Sequence, residues 1–262
     1  MATYLDAILA AHRARAAQDL RSTDSLVEEA GDRPPTRGFR RALMDSDHLA
    51  VIAEVKRRSP SKGDLAAGLD PAQLARSYQD GGARCLSVLT DRDHFGGSPA
   101  DLVAAREAVT LPVLRKDFTV SANDVCDARL MGADCVLLIA AALTDAELSE
   151  FSELAATLGL DALVEIHDEM ELERALAHTA GDLIGVNQRD LATFMVDQAR
   201  AVRMAAVMPD HTVRVAESGV RGREDAVTLA AAGYHAVLVG EHLVTSGDPA
   251  AALADLRVVR SR

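Results

Sequence analysis

The chain has 262 residues, 48% hydrophobic and 3% aromatic, with 28 basic against 40 acidic side chains and a formal net charge of −12. That length buries one full core with a little chain to spare, so a single domain with an appendage is expected. The acidic balance argues against a general nucleic-acid or anionic-membrane surface, because both reward clustered Lys and Arg. The large apolar fraction argues against disorder.

Residues 1–47 come first and differ in pattern from the remainder of the chain. Tyr4–Glu29 predicts a helix, Pro34 and Pro35 break the chain, and Arg40–Met44 resumes helical character. Eight acids against seven arginines here do not make a basic arm. The stretch is expected to be a helical extension packed on the main body, either over one mouth of the fold or as a plain stabilising cap. With Asp6 near the start and Arg13 and Arg15 after it, no secretory leader is expected, and no apolar run approaches the ~20 residues that cross a bilayer. The three cysteines, Cys85, Cys126 and Cys135, form no C-x-x-C pair and are expected to be reduced core thiols of a cytoplasmic protein.

From residue 48 on, short apolar runs alternate with longer amphipathic segments. The predicted strands are Ala50–Lys56, Arg84–Thr90, Pro112–Lys116, Asp134–Ala140, Ala162–Glu165, Leu183–Asn187, Val213–Glu217 and Ala236–Gly240. Each is almost continuously apolar, as strands covered on both faces are. Ala-rich stretches of helical period such as Asp145–Leu158 and Arg221–Ala232 lie between them. Pro71 and Pro99 fall where a first helical turn tolerates proline, and Gly132, Gly159 and Gly233 where helices stop. Eight strand ends spaced 22 to 34 residues apart are the arithmetic of a (β/α)8 TIM barrel, here one α/β domain with 1–47 as extension and 48–262 as barrel. A doubly wound sheet would want a Gly-rich turn after the first strand, where this chain has Lys56-Arg57-Arg58-Ser59-Pro60.

In such a barrel the chemistry sits at the carboxyl ends of the strands. Strand one ends Glu54-Val55-Lys56, and residues two apart share a face, so both charges should point into the barrel mouth. Strand three ends at Lys116, strand five at Glu165, strand six at Asn187 with Arg189 after it, and strand seven at Glu217. A structural ion pair would explain one of these; it does not explain all of them on one rim. At an effective dielectric near 20, unit charges ~4 Å apart interact by about 4 kcal/mol, enough to tune a lysine as proton donor and a glutamate as acceptor. Ser218-Gly219 after strand seven and Gly240 closing strand eight stand where barrels bind phosphate through backbone N–H groups, with Lys56 as a nearby cation. Other features are expected to be bland. The histidines show no metal-ligand spacing, so neither a metal nor a cofactor is expected, and His167 belongs to the loop after strand five. Arg57 is expected to be solvated, with Arg58 left open.

Five motifs in order then resemble the indole-3-glycerol phosphate synthase family: Glu54-Val-Lys56-Arg-Arg-Ser59-Pro60-Ser-Lys-Gly63, Leu114-Arg-Lys116-Asp-Phe118, Val164-Glu165-Ile-His167, Gly185-Val-Asn187-Gln-Arg189-Asp-Leu191 and Ala216-Glu217-Ser218-Gly219. Ser87-Val-Leu-Thr90-Asp and Phe95-Gly-Gly-Ser98 are similar to its strand-two signature, and the resemblance runs from about residue 50 to Glu241. It implies conversion of 1-(2-carboxyphenylamino)-1-deoxyribulose 5-phosphate to indole-3-glycerol phosphate, with loss of CO2 and water, in tryptophan biosynthesis. It further implies that Lys116 is the general acid and Glu165 the base. Lys56 would hold the substrate's carboxylate or phosphate and can donate a proton in the dehydration, while Glu54, Asn187 and Glu217 order the lysines and hydroxyls. Ser59, Pro60 and Arg189 would contact substrate, Phe95 and Phe118 would wall the anthranilate ring, and Ser218, Gly219 and Gly240 would hold phosphate. Glu241, where some members carry a small hydroxyl residue, is expected to point away from that phosphate. The partner is then a small phosphorylated molecule, with no nucleic acid or membrane, and a monomer is expected. A related isomerase such as phosphoribosylanthranilate isomerase should carry a cysteine at the end of strand one, where this chain has Lys56. A non-catalytic barrel module should have broken acid–base positions, and none is broken.

Overall fold

The eight apolar runs become eight parallel strands in a computed structural model that describes residues 4–60, 62–190 and 193–260. They are β1 (Ala50–Val55), β2 (Cys85–Leu89), β3 (Val113–Lys116), β4 (Cys135–Ile139), β5 (Asp161–Ile166), β6 (Leu183–Asn187), β7 (Val213–Glu217) and β8 (Ala236–Val239). Each pairs with its neighbours in sequence, and β8 pairs with β1 to close the barrel. Helices return the chain between strands, among them Pro71–Asp80, Pro99–Ala108, Ala122–Leu130, Asp145–Thr157, Glu169–His178, Gln198–Ala205 and Arg223–Ala231. Most begin on a side-chain cap, from Asp70, Ser98, Ser121, Thr144, Asp168 or Asp197, each satisfying orphan N–H groups.

Strand alternation builds two cores. Outward residues such as Val51, Leu86, Val136, Val164, Val186 and Val237 pack under the helices. Inward residues Ala50, Ile52, Cys85, Leu114, Cys135, Leu163, Leu183, Val215 and Leu238 fill the barrel. Further along the same inward rows, apolar side chains give way to Glu54, Lys116, Glu165, Asn187 and Glu217. The barrel is therefore oily at its base and charged at its carboxyl mouth. The three cysteines are free and buried, and among the described residues no helix is long and apolar enough to cross a membrane.

The extension differs from the single helix expected over Tyr4–Glu29. It forms α1 (Tyr4–Ala16) and α2 (Thr23–Gly31), followed by α3 (Phe39–Met44). The break has a tertiary cause: Asp19 accepts from Asn123 Nδ2 at 3.0 Å, and Arg21 donates to Asp127 at 2.8 Å, which pins the intervening chain to the helix Ala122–Leu130. Ser22 then caps α2. The extension serves both ends of the barrel. Phe39 and Leu43 of α3, fully buried, plug the base, where Asp134 and Asp161 accept the backbone N–H groups of Arg37 and Arg40 at 2.7 and 2.8 Å. At the other end α1 reaches the mouth, where His12 meets Asp91 at 3.0 Å.

Candidate active site

A cavity of about 750 Å³ opens at the carboxyl ends of the strands. All fourteen residues expected at the site line it: Glu54, Lys56, Ser59, Pro60, Phe95, Lys116, Phe118, Glu165, Asn187, Arg189, Glu217, Ser218, Gly219 and Gly240. Leu191, part of one of the motifs, lies outside the described residues.

The floor is an ionic cluster. Lys116 Nζ sits 2.7 Å from Glu165 Oε2 and 2.8 Å from Glu217 Oε2, with side-chain exposures of 15%, 3% and 2%. Asn187 Nδ2 donates to the other Glu165 oxygen at 3.0 Å, and Asn187 Oδ1 accepts the Arg189 backbone N–H at 3.0 Å. Lys56 Nζ is 2.5 Å from Glu54 Oε1 on the same strand. Burial pushes the Lys116 pKa down, but Glu165, Glu217 and Glu54 together outweigh it and hold the ammonium charged. The two carboxylates sharing that lysine are driven apart. Burial raises both, yet Lys116 and His167 pull Glu165 below the usual carboxylate range, whereas Glu217, burdened also by Glu165, is raised. A protonated lysine, an ionised carboxylate and a carboxyl poised to hold a proton thus meet at one point, as acid–base chemistry requires.

Two glycines make room for this cluster. A Cβ at Gly185 would collide with Glu217 Oε1, and one at Gly240 with Glu54 Oε1, besides standing 3.1 Å from Lys56 Nζ. Gly240 thus lacks a side chain partly to admit Glu54, a role its sequence position did not suggest.

Across the mouth the backbone is held in unusual shapes. Ser218 has φ +64° and Gly219 φ +75°; a serine there stores strain of about 1–3 kcal/mol, which native proteins tolerate mainly at functional sites. The carbonyls of both residues are tied down by Gln188 Nε2 and Gln198 Nε2, at 2.7 and 2.9 Å. Ser59 Oγ, buried at the cavity edge, has no hydrogen-bond partner. The apolar wall is built by Phe118 and Phe95, ring centroids 6.3 Å apart, with Leu89, Leu137 and Ile139 beneath them.

Three expectations need correction or refinement. Arg57 is not solvated: it forms an ion pair with Asp101 and donates to Leu69 O at 3.1 Å, so it staples the loop after β1 to the helix Pro99–Ala108. Arg58 donates to His94 O at 3.2 Å and does not line the cavity. Glu241 does not turn wholly aside; it lines the outer cavity, 40% exposed, with Lys62 Nζ 3.7 Å away to offset its charge.

Other residues of this region escaped the sequence. Phe194, at φ +60°, lines the cavity and accepts from Arg189 Nη1 through its carbonyl at 3.1 Å. His12, from the extension, packs its ring 5.2 Å from that of Phe118. His12, Asp91 and Asp117 bring metal-capable atoms within 4.8 Å of one another. Their atoms are nonetheless engaged within the protein. Asp91 caps the turn through the N–H groups of His94 and Phe95, and Asp117 pairs with Thr90 and with Arg115 at 3.2 Å. With Arg15 also 3.9 Å from Asp91, cationic charge is already supplied, and the group fits a tether between extension and barrel.

Known proteins resemble the chain in fold and in sequence. By fold, the chain is similar to a thiamine phosphate pyrophosphorylase from Pyrococcus furiosus, with a TM-score of 0.60 at 15% identity over 83% of this chain and 95% of that one, a likeness of fold alone. By sequence, it is 50% identical over 256 residues to an indole-3-glycerol phosphate synthase of Mycolicibacterium vanbaalenii and 51% identical over 257 residues to that of Mycolicibacterium smegmatis, each alignment covering 97% of this chain and 94% of the relative. A Nocardioides indole-3-glycerol phosphate synthase matches at 51% over 243 residues, covering 93% of this chain and 90% of its own. The family model described as indole-3-glycerol phosphate synthase matches residues 5–256, and the chain belongs to that family.

Proposed function

We propose that the protein converts 1-(2-carboxyphenylamino)-1-deoxyribulose 5-phosphate to indole-3-glycerol phosphate, CO2 and water. The observation that carries this reading is the buried Lys116 ammonium held between Glu165 and Glu217 at the floor of a cavity with an aromatic wall on one side and a glycine-lined rim on another. In the first step the ring carbon bearing the carboxylate attacks the ketone of the sugar chain. Lys116 protonates the alkoxide as the carbon–carbon bond forms, and the ring nitrogen carries the resulting positive charge. Loss of CO2 returns its electron pair to the ring and restores aromaticity. In the last step the new hydroxyl leaves as water with a proton from a lysine, and Glu165 takes the proton released from the adjacent carbon to complete the indole.

Each proton transfer by a positioned group is worth about 10²–10⁴ in rate. Glu217, raised by burial and by Glu165 and in contact with Lys116, suits the return of a proton to the lysine between steps. Lys56, fixed by Glu54, serves the substrate carboxylate or phosphate and supplies an acid for the dehydration. Ser59 Oγ, lacking a protein partner, would take a ligand oxygen beside Pro60. Arg189 anchors the substrate, Ser218, Gly219 and Gly240 take the phosphate, and Phe95 and Phe118 flank the anthranilate ring. A monomeric enzyme is part of this reading, and sedimentation equilibrium of the purified protein measures it. The extension and barrel form one folding unit, and the protein works in the cytoplasm on a small phosphorylated substrate. Stoichiometry tests the reaction: the purified protein should release CO2 and generate indole emission one for one, and emission without CO2, or neither, would refute it.

A further inference from the structure

One residue of the Val164-Glu165-Ile166-His167 motif has no task in the proposed reaction. His167 lies in the bend between β5 and the helix Glu169–His178, with only 12% of its side chain exposed. Its backbone N–H donates to Glu171 Oε2 at 2.8 Å, and its ring Nδ1 lies 3.0 Å from the same oxygen, so Nδ1 is the donor. The other ring nitrogen, Nε2, is buried without a hydrogen-bond partner and stands 3.9 Å from Glu165 Oε1. In a neutral ring that atom would turn a lone pair on a carboxylate oxygen; in an imidazolium it presents an N–H instead.

We propose that His167, gripped by Glu171, is an imidazolium positioning residue for Glu165, keeping that carboxylate ionised and aligned between Asn187 and Lys116 while Lys116 releases and regains its proton. The need arises from the cluster itself. Glu165 owes its charge first to Lys116, and that support vanishes at the moment the lysine gives its proton away. A second cation on the far side of Glu165, outside the path of the substrate, preserves the base through that step. The charged groups facing His167 come from three elements. Glu165 on β5 and Glu171 on the helix Glu169–His178 favour the cation, whereas Arg200 on the helix Gln198–Ala205 opposes it. Burial lowers the imidazole's pKa, but the two carboxylates outweigh burial and Arg200, and the net direction is upward from the ordinary 6.5. The cation is therefore complete below that raised value and is lost as pH climbs through it.

This inference rests on the proposed function, and its test separates the two. The ring of His167 is titrated by NMR in the full-length protein, its signals assigned by their loss in His167→Gln. The pH profile of kcat is then measured with the carboxyphenylamino-deoxyribulose phosphate. The expected results are a titration above pH 6.5 and a matching alkaline limb in kcat. In Glu171→Gln both should move together to lower pH by about one unit or more. His167→Gln should lose about tenfold or more in kcat, with KM held within about twofold, and should lack that limb. Titration at or below 6.5, a limb that ignores Glu171→Gln, or a His167→Gln enzyme with kcat within about twofold of its parent overturns the inference. If His167→Gln does not fold, the paired shifts in Glu171→Gln decide the matter. The titration needs no substrate, so a wild-type protein that titrates as expected but turns nothing over contradicts the proposed function.

Discussion

At the scale of single residues, the site depends as much on absent side chains as on charged ones. Glu217 and Glu54 reach their positions because Gly185 and Gly240 carry no Cβ to block them. Gly240→Ala should therefore displace Glu54 and with it Lys56, lowering kcat/KM by about tenfold or more, since misplacement by an ångström costs on the order of a hundredfold in well-aligned sites. Steady-state kinetics on the folded variant checks this, and an unchanged kcat/KM would show that Glu54 has slack. The charged members of this set were legible in the sequence because strand period alone puts Glu54 with Lys56 and sends the ends of strands three, five, six and seven to one rim. His12 and Phe194 were not legible. His12 reaches Asp91 across 79 residues of chain, and Phe194 matters through a backbone carbonyl and a left-handed φ that no side-chain pattern encodes.

At the scale of elements, the strands match the sequence expectation to within a residue or so because burial on both faces makes each a compact apolar run. The extension matches less well. Nothing between Ala16 and Thr23 is a strong helix breaker, and the helix ends there because Asp19 and Arg21 find Asn123 and Asp127 on another element. Ser22 was the one local signal, an N-cap residue ahead of α2. The two-residue pairing of Arg58–Ser59 with Gly63–Asp64 after β1 was likewise too short to register as a period. The third helix carries a prediction of its own. Phe39, fully buried against the barrel base, should cost about 3–5 kcal/mol of unfolding free energy when cut to alanine, the range for an aromatic removed from a core. Urea unfolding measures it; a loss below about 1 kcal/mol would mean that α3 rests on the barrel without plugging it.

For the whole molecule, the net charge of −12 carries into the mouth, whose lining holds seven carboxylates against five lysines and arginines, so an anionic substrate is met there by placed cations and not by an excess of positive charge. Lys56, Lys116 and Arg189 are among those cations, and the proposed function uses them for a substrate bearing a carboxylate and a phosphate. Global stability has its own pH signature. His235, against Arg214 and Arg260, is pushed down to about 4 by burial and by those two cations, while its Nδ1 accepts the Arg214 N–H at 3.1 Å. The folded state then binds fewer protons than the unfolded state between about 4 and the ordinary 6.5, so this residue subtracts stability as pH falls through that window and is neutral above it. His235→Asn keeps an acceptor but cannot be protonated. Between pH 7.5 and pH 5 it should lose less unfolding free energy than the parent, as measured by urea titration at both values; an equal loss would place the acid sensitivity elsewhere.

In the proposed reaction Lys116, paired with Glu165 and Glu217, protonates the substrate as the indole ring closes. The most direct test of that step is the initial rate of indole emission from the carboxyphenylamino-deoxyribulose phosphate, compared between the wild-type protein and Lys116→Ala at saturating substrate. The wild type should turn over, and the variant, still folded, should lose about 10²–10⁴ in kcat. A wild type without emission, or a variant as fast as its parent, would contradict it.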